Sequence, residues 1–235
     1  MTISVVLPAY KEAENLRSIL PAIHAALRGL EHEILVIDTM QPMDDAAEVC
    51  RRNNAVCIPR AGGNFYGDAI RTGFAQASGK YIVIMDADGS HDPAEIVKFY
   101  AEMATGKYDL IIGSRYCRGG YTDNPAILRL MSRVLNLTYQ LLFGLRVRDV
   151  SDSFRMYKAE QIKSVELECE NFDIVEEILI KLDISFRPFR IREVPISFNK
   201  RAAGESKRDL VRFILSYLVT IRRLMRIRRQ AAGRR

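Results

Sequence analysis

The run Met85-Asp86-Ala87-Asp88-Gly89-Ser90-His91-Asp92-Pro93 follows directly on the apolar segment Tyr81-Ile82-Val83-Ile84. It places two carboxylates one residue apart at the end of a strand-like stretch. In extended backbone residues i and i+2 project to the same side, so Asp86 and Asp88 are expected to face one ligand. Carboxylates so close repel each other unless a cation or a proton relieves them, and Mg²⁺ or Mn²⁺ suits them because it combines oxygen ligands with substrate phosphates. The same run also reads as a strand-end residue and a turn cap before a helix that opens at Pro93. Taken alone, it leaves both readings open.

The elements that must position these residues follow from the pattern of the first half, where short apolar runs alternate with helix-like segments. That is the signature of an α/β fold with a mostly parallel sheet covered on both faces. Strands are expected at 3–7, 33–38, 55–59, 80–86 and 109–113, with helices at 12–28, 44–53, 66–78 and 93–105. Such sheets bind ligands beyond the carboxyl ends of their strands, at a switch in strand order. Pro8-Ala9-Tyr10-Lys11-Glu12, Asp38-Thr39 and Asp86-Ala87-Asp88 all fall at such ends. In the second half, 127–143 and 172–182 read as helices and 186–198 as an extended segment. No repeat or linker separates the halves, so one shared sheet is expected.

Composition narrows the function classes. At 235 residues, with 48% hydrophobic and 27% charged residues, the chain can bury one good core. It contains no uninterrupted apolar stretch of about 18 residues, as a membrane span requires. The opening Met1-Thr2-Ile3-Ser4 lacks signal-peptide features, so the cytoplasm is the expected compartment. Cys50, Cys57, Cys117 and Cys169 show no metal-ligand spacing and are expected to be reduced. The formal net charge is +6, and ten of the Lys and Arg residues crowd 207–235 against Asp209 alone. A basic tail of this kind seeks an anionic surface.

The segment 60–71, Arg-Ala-Gly-Gly-Asn-Phe-Tyr-Gly-Asp-Ala-Ile-Arg, is glycine-rich and opens a helix, but it does not fit the dinucleotide fingerprint. In order along the chain, Pro8-x-Tyr10-x-Glu12, Asp38, Tyr66-Gly67-Asp68-Ala69, Asp86-Ala87-Asp88-x-x-His91-x-Pro93, Gly113-Ser114-Arg115-Tyr116, Ser132-Arg133-x-x-Asn136, the run 149–155, Glu193-Val194-Pro195-Ile196-x-Phe198 and Arg201-x-x-Gly204-Glu205-Ser206-Lys207 resemble family 2 glycosyltransferases of the dolichyl-phosphate mannosyltransferase type. The resemblance spans about residues 1 to 210.

This resemblance implies a GT-A fold: a Rossmann-like nucleotide-binding half fused to a smaller acceptor-binding half, over 1–206, with a basic amphipathic helix and tail at 207–235. It implies a nucleotide-diphosphate sugar donor, either GDP-mannose or a UDP-sugar, and Mg²⁺ or Mn²⁺. It also implies inverting transfer to a polyprenyl phosphate at the cytoplasmic membrane face. Pro8, Tyr10, Glu12, Asp38, Asp68 and Ala87 fall on the donor side, and Asp86, Asp88 and Ser90 at the metal, with Asp88 also catalytic. Arg201 and Lys207 are expected to close over the diphosphate with Gly204 as a hinge. Arg115 and Arg133 match positions that grip the acceptor phosphate, where guanidinium supplies paired donors, and count as catalytic. Without that context they read as solvated surface charges; Glu176 and Glu177 fall near an acidic position of the family and also read as solvent-facing helix charges. His91 is expected to order the loop by hydrogen bonding.

The chain departs from the pattern at two places. After strand two the family's Asp-Asp-Gly-Ser is replaced by Asp38-Thr39-Met40-Gln41, which leaves the donor base open. The family's Asp-x-Thr-Ser-Gly-Phe-Arg is replaced by Asp149-Val150-Ser151-Asp152-Ser153-Phe154-Arg155, and the lost glycine is expected to reshape the acceptor side.

Leu210, Phe213, Ile214, Tyr217, Leu218, Ile221, Leu224 and Met225 recur at helical spacing among arginines. They fit a helix lying in a membrane interface, and equally one docked on the domain or on a second subunit, so a homo-oligomer or a membrane-protein partner stays open. The competing functions are a glycosyltransferase with a saccharide or small-molecule hydroxyl acceptor and a noncatalytic nucleotide-sugar- or membrane-binding subunit. Nucleic acid is not an expected partner, because no base-reading module is present.

Overall fold

The computed structural model describes residues 1–199 and 210–232, with side chains in the last helix for 217–231. In chain order the first half forms β1 (Ile3–Pro8), α1 (Ala13–Ala26), β2 (His32–Asp38), α2 (Ala46–Arg52), β3 (Val56–Pro59), α3 (Tyr66–Gln76), β4 (Tyr81–Ile84), α4 (Glu95–Ala104) and β5 (Leu110–Ser114). There follow β6 (Tyr121–Thr122), α5 (Ala126–Phe143), β7 (Arg155–Lys158), α6 (Ala159–Ile162), α7 (Ile174–Ser185), β8 (Ile191–Pro195), β9 (Ser197–Phe198) and α8 (Leu210–Ala232). Seven strands make one sheet in the order β3-β2-β1-β4-β7-β5-β8, and β6 pairs with β9 apart from it. Among the described strands only β7 runs antiparallel in the large sheet, between β4 and β5. The two halves of the chain therefore share one sheet.

Period-two alternation sorts the strand residues onto two faces. Ile3, Val5, Leu7, Ile34, Val36 and Val83 pack under α1, α2 and α4. Val6, Leu35, Ile37, Ile82 and Ile84 pack under α3, α5, α7 and α8. Burial on both faces explains why these strands read as continuous apolar runs.

The described part of α8 docks on the domain. Tyr217 and Leu224 are buried, with Ile221 and Met225 partly so, while Leu218 and Val219 point outward. Polar contacts fix the seat: Tyr217 Oη donates to Glu176 Oε1 at 3.3 Å and Thr220 Oγ1 donates to Asp173 Oδ2. Arg223 lies 3.4 Å from Glu177 Oε1. Glu176 and Glu177 are both fully buried at 0% exposure, which excludes the solvent-facing one of their two readings. Helix α7 has no solvent side for them, because the sheet and α8 cover it. Lys181, 2.9 Å away, and the Glu168 and Cys169 amides compensate Glu177.

Glu176 differs. Burial pushes its carboxyl up to about 8, with Asp173 adding and Arg155 and Tyr217 opposing. The folded state thus holds the proton more tightly than the unfolded chain does. The stability this gives is complete below the ordinary glutamate value near 4.5 and is lost as pH rises through about 8. A tenfold change in proton affinity is worth about 1.4 kcal/mol, so the total loss amounts to a few kcal/mol. The urea midpoint is expected to fall accordingly between about pH 5 and 8.5, and the slope to flatten in Glu176→Gln. Equal pH slopes in the two proteins would contradict this.

Candidate active site

The strand order places the crevice. From β1 the chain winds through β2 to β3 and then returns to the other side of β1 as β4, so the order switches between β1 and β4. Ligands of open α/β sheets bind outside the carboxyl ends at such a point. Pro8 ends β1 there, Tyr10 follows at 39% exposure, and Glu12 accepts from Asn15 Nδ2 at 2.6 Å. Asp38 ends β2, buried, with the Thr39 amide donating to it at 2.8 Å. Burial and the neighbouring Asp44 outweigh that bond and raise the Asp38 carboxyl. Thr39, in the departing loop, is buried and donates its hydroxyl to Gln41 O at 2.6 Å. Two residues that sequence reasoning left unassigned join these ends. Buried Arg60 donates to the carbonyls of Ala9 and of Asn64, the latter at 2.7 Å, and Asn64 Oδ1 accepts the Met40 amide at 2.8 Å. The signal available was an arginine directly after a strand at the same sheet edge.

Asp68 sits in the first turn of α3, where it accepts the Phe65 amide at 2.9 Å and pairs with Arg71 at 2.7 Å. It holds the glycine-rich loop against the helix start. Gly67 donates its amide to Glu170 O at 2.7 Å, and a Cβ on it would lie 2.1 Å from the Cys169 carbonyl oxygen. Backbone cannot yield there as a flexible side chain can. Gly67→Ala is expected to cost about 1–3 kcal/mol, a melting temperature lower by roughly 2 to 12 °C. An unchanged melting temperature would contradict the close approach.

Asp86 and Asp88 do come together at the crevice, but not on extended backbone. β4 ends at Ile84; the Met85 amide makes one more bond to Val6 O, and Ala87-Asp88 enter a turn completed by Gly89 at φ +79. The strand stops because β7, its neighbour, begins at Arg155 opposite Ile84. Asp88, buried, accepts the Ser90 amide at 3.0 Å and the Ser90 hydroxyl at 2.6 Å. Ser90 is itself fully buried, and Ala87 packs in the core behind the loop. Asp86, half-buried, accepts the Ser153 hydroxyl at 3.0 Å. Burial, then Asp88 and Asp152, raise its carboxyl against the pull of His91. That is the electrostatic situation a divalent cation relieves. Among the described residues no three acidic or histidine side chains form a ready-made cage. Two carboxylates nevertheless fit Mg²⁺ or Mn²⁺ of the kind that completes its shell with phosphate oxygens and water.

On the far side of this loop Arg115 is buried, not solvated. It donates to Asp149 through Nε at 2.8 Å and Nη2 at 2.7 Å, and its Nε lies 3.1 Å from Asp152. Burial lowers the guanidinium and these carboxylates raise it further than burial lowers it. Arg133, exposed on α5, reaches the same place from solvent: both guanidinium carbons stand over the Tyr116 ring, at 5.3 Å for Arg115 and 5.9 Å for Arg133. Asp149 and Asp152 as partners of Arg115, and Ser153 as partner of Asp86, are additions from the structure. Helix α5 also presents an apolar stripe, Ile127, Leu130, Val134, Leu137 and Leu141, at 54–75% exposure, bordered by Arg129 and Arg133 and without an acidic residue. Arg201, Gly204 and Lys207 lie outside the described residues.

The model of "Glycosyl transferase family 2" matches residues 4–165. The chain belongs to glycosyl transferase family 2. Within this family it is 36% identical over 233 residues to a dolichol-phosphate mannosyltransferase of Pyrococcus furiosus, covering 96% of this chain and 64% of that protein. It is 30% identical over 216 residues to a polyprenol monophosphomannose synthase of Mycolicibacterium smegmatis, covering 86% and 79%. The chain thus spans less than two thirds of the Pyrococcus furiosus relative's length. Among solved structures it resembles glucosyl-3-phosphoglycerate synthase from Mycobacterium tuberculosis in complex with Mn²⁺ and UDP-glucose, with TM-score 0.74, 20% identity and coverage of 94% and 79%. The complex of that enzyme with Mg²⁺ and UDP gives TM-score 0.72, 19% identity and coverage of 94% and 79%. These likenesses identify the α/β architecture as the GT-A fold of the family.

Proposed function

We propose that the chain transfers a sugar, with inversion, from a nucleotide-diphosphate sugar to a polyprenyl phosphate at a membrane surface. The observation that carries the donor side is the meeting of Pro8–Glu12, Asp38 and the Asp86–Asp88 turn at the β1/β4 switch point. Pro8, Tyr10, Glu12 and Asp38 border the nucleoside, with Asp68 holding the loop beside it. Asp86 and Asp88 hold the divalent cation, Mg²⁺ or Mn²⁺, with Ser90 bracing Asp88. When bound, that ion neutralises charge gathering on the leaving diphosphate. Arg201 and Lys207 are assigned to the same diphosphate.

The acceptor side follows from its chemistry. A phosphate monoester is already anionic near neutral pH, so it needs orientation more than a strong base. Arg133, with Arg115 behind it, offers guanidinium donors for that phosphate. The exposed α5 stripe supports a lipid-borne acceptor, since a helix lying in the interface would put Arg133 at headgroup depth and the stripe in acyl chains. The names of the two relatives agree with mannose and a polyprenyl phosphate.

Incubating the full chain with labelled GDP-mannose, UDP-glucose and UDP-N-acetylglucosamine, each with a polyprenyl phosphate in mixed micelles, tests this reading. Extractable labelled lipid is expected from one donor and only with Mg²⁺ or Mn²⁺. Transfer to water-soluble hydroxyl acceptors alone, or none from any donor, would overturn it.

A further inference from the structure

Asp152 joins the two sides of the site. Its side chain is buried, its Oδ1 accepts the Phe154 amide at 2.8 Å and lies 3.4 Å from His91 Nε2, and its Oδ2 lies 3.1 Å from Arg115 Nε. His91 is buried too, and through Nδ1 it accepts the Asp86 amide at 3.2 Å. A continuous line of contacts therefore runs from the Asp86 backbone through His91 and Asp152 to Arg115. Phe198 closes it from the side, edge-on to His91 at 5.3 Å and under the Arg115 guanidinium at 5.4 Å. The next residue ties the same segment to the donor loop, the Asn199 amide donating to Ser90 O at 3.0 Å.

Neutralising Arg115 does not by itself account for Asp152. Asp149 already meets Arg115 with both oxygens, so Arg115 is neutralised without a second carboxylate. His91 Nε2 and Asp152 Oδ2 are moreover buried, and the contacts that meet them are those of this line, at 3.4 Å between His91 and Asp152 and 3.1 Å between Asp152 and Arg115. A carboxylate placed between an imidazole on one loop and a guanidinium on another restrains the distance between those loops, and the restraint is strong in a buried, low-dielectric setting.

We infer that Asp152 is a positioning residue which, through His91 and Arg115, fixes the Asp86–Asp88 turn relative to the acceptor-side arginine. The inference rests on the assignment of donor and acceptor sides in the proposed function. It places the effect of Asp152 on the alignment of two bound substrates and not on the binding of either one. A misplacement of about 1 Å costs on the order of 10²-fold in rate.

Asp152→Asn keeps the oxygen that accepts the Phe154 amide and removes the charge. The test compares it with His91→Gln and the double variant, using GDP-mannose with Mn²⁺ as donor and a polyprenyl phosphate in micelles as acceptor. Calorimetric titration with GDP and Mn²⁺ reports the fraction of intact donor sites. In Asp152→Asn, kcat is expected to fall about tenfold or more, with GDP stoichiometry and Kd within about twofold of wild type. The double variant is expected to lose little more than the worse single variant, because both cut one line of contacts. Wild-type kcat in Asp152→Asn, a loss of GDP stoichiometry that matches the loss of kcat, or simple multiplication of the two single losses would overturn the inference while leaving the proposed function intact. A wild-type chain that binds neither GDP nor UDP and transfers sugar from none of the three donors would overturn the reading beneath it as well.

Discussion

Asp88→Asn is expected to lower the rate of sugar transfer by about 10²–10³-fold while leaving the fold in place. The isosteric amide still offers an oxygen to the Ser90 amide and hydroxyl, which Asp88 accepts at 3.0 and 2.6 Å. What it removes is one of the two formal charges that the proposed function sets against the cation. A leaving diphosphate gains charge as its bond to the sugar breaks, and the cation is worth most at that moment. The loss should therefore appear in kcat with saturating metal, and the half-saturating Mn²⁺ concentration should rise. Alanine is the less informative change, since it leaves two buried Ser90 donors unsatisfied, at about 1–3 kcal/mol each. Wild-type transfer by a folded Asp88→Asn protein would remove Asp88 from the machinery. If transfer were abolished but the cellular role kept, the chain would serve that role as a binding subunit.

The largest effect on stability is expected from Arg155→Met. Arg155 is fully buried and donates to three carbonyl oxygens, of Asp152 at 2.8 Å, Val175 at 2.9 Å and Val150 at 2.6 Å. These bonds tie the start of β7 to the loop carrying Asp149 and Asp152 and to the first turn of α7. Methionine fills similar volume, so packing survives and the polar loss is isolated. Removing the donor leaves three buried carbonyl oxygens short of a partner at about 1–3 kcal/mol each, a loss of about 3 kcal/mol or more and a melting temperature lower by roughly 6 °C or more. Arg155 also opposes the upward push on Glu176, so the variant should hold the Glu176 proton to still higher pH. A melting temperature within about 2 °C of wild type would contradict this account of Arg155.

Comparison of particular residues shows where local pattern suffices and where it fails. β1 to β5 and their helices are readable because each apolar run is buried on both faces and each helix has one dominant stripe, features that a short window contains. The Asp86/Asp88 pair is readable as a candidate site for the same reason. Its backbone is not, because the length of β4 depends on β7, which begins some seventy residues later at Arg155. Arg115 passes for a surface charge in sequence, since the carboxylate that buries it, Asp149, is 34 residues away. Glu176 and Glu177 pass for solvent-facing charges because nothing in α7 itself reveals that α8 covers them. The α8 stripe is correctly seen as amphipathic, yet only three-dimensional contacts decide that Tyr217 and Leu224 face protein. Signals fail wherever the decisive partner is distant in sequence.

The central claim is that the β1/β4 crevice binds a nucleotide-diphosphate sugar through a cation held by Asp86 and Asp88. Calorimetric titration of the full chain with GDP-mannose, UDP-glucose and UDP-N-acetylglucosamine, with and without Mn²⁺, tests it most directly. One donor is expected to bind at a single site, about tenfold or more tighter with Mn²⁺, and the metal effect is expected to vanish in Asp88→Asn. Binding of no donor, or binding equally tight without Mn²⁺ and in Asp88→Asn, would contradict the claim.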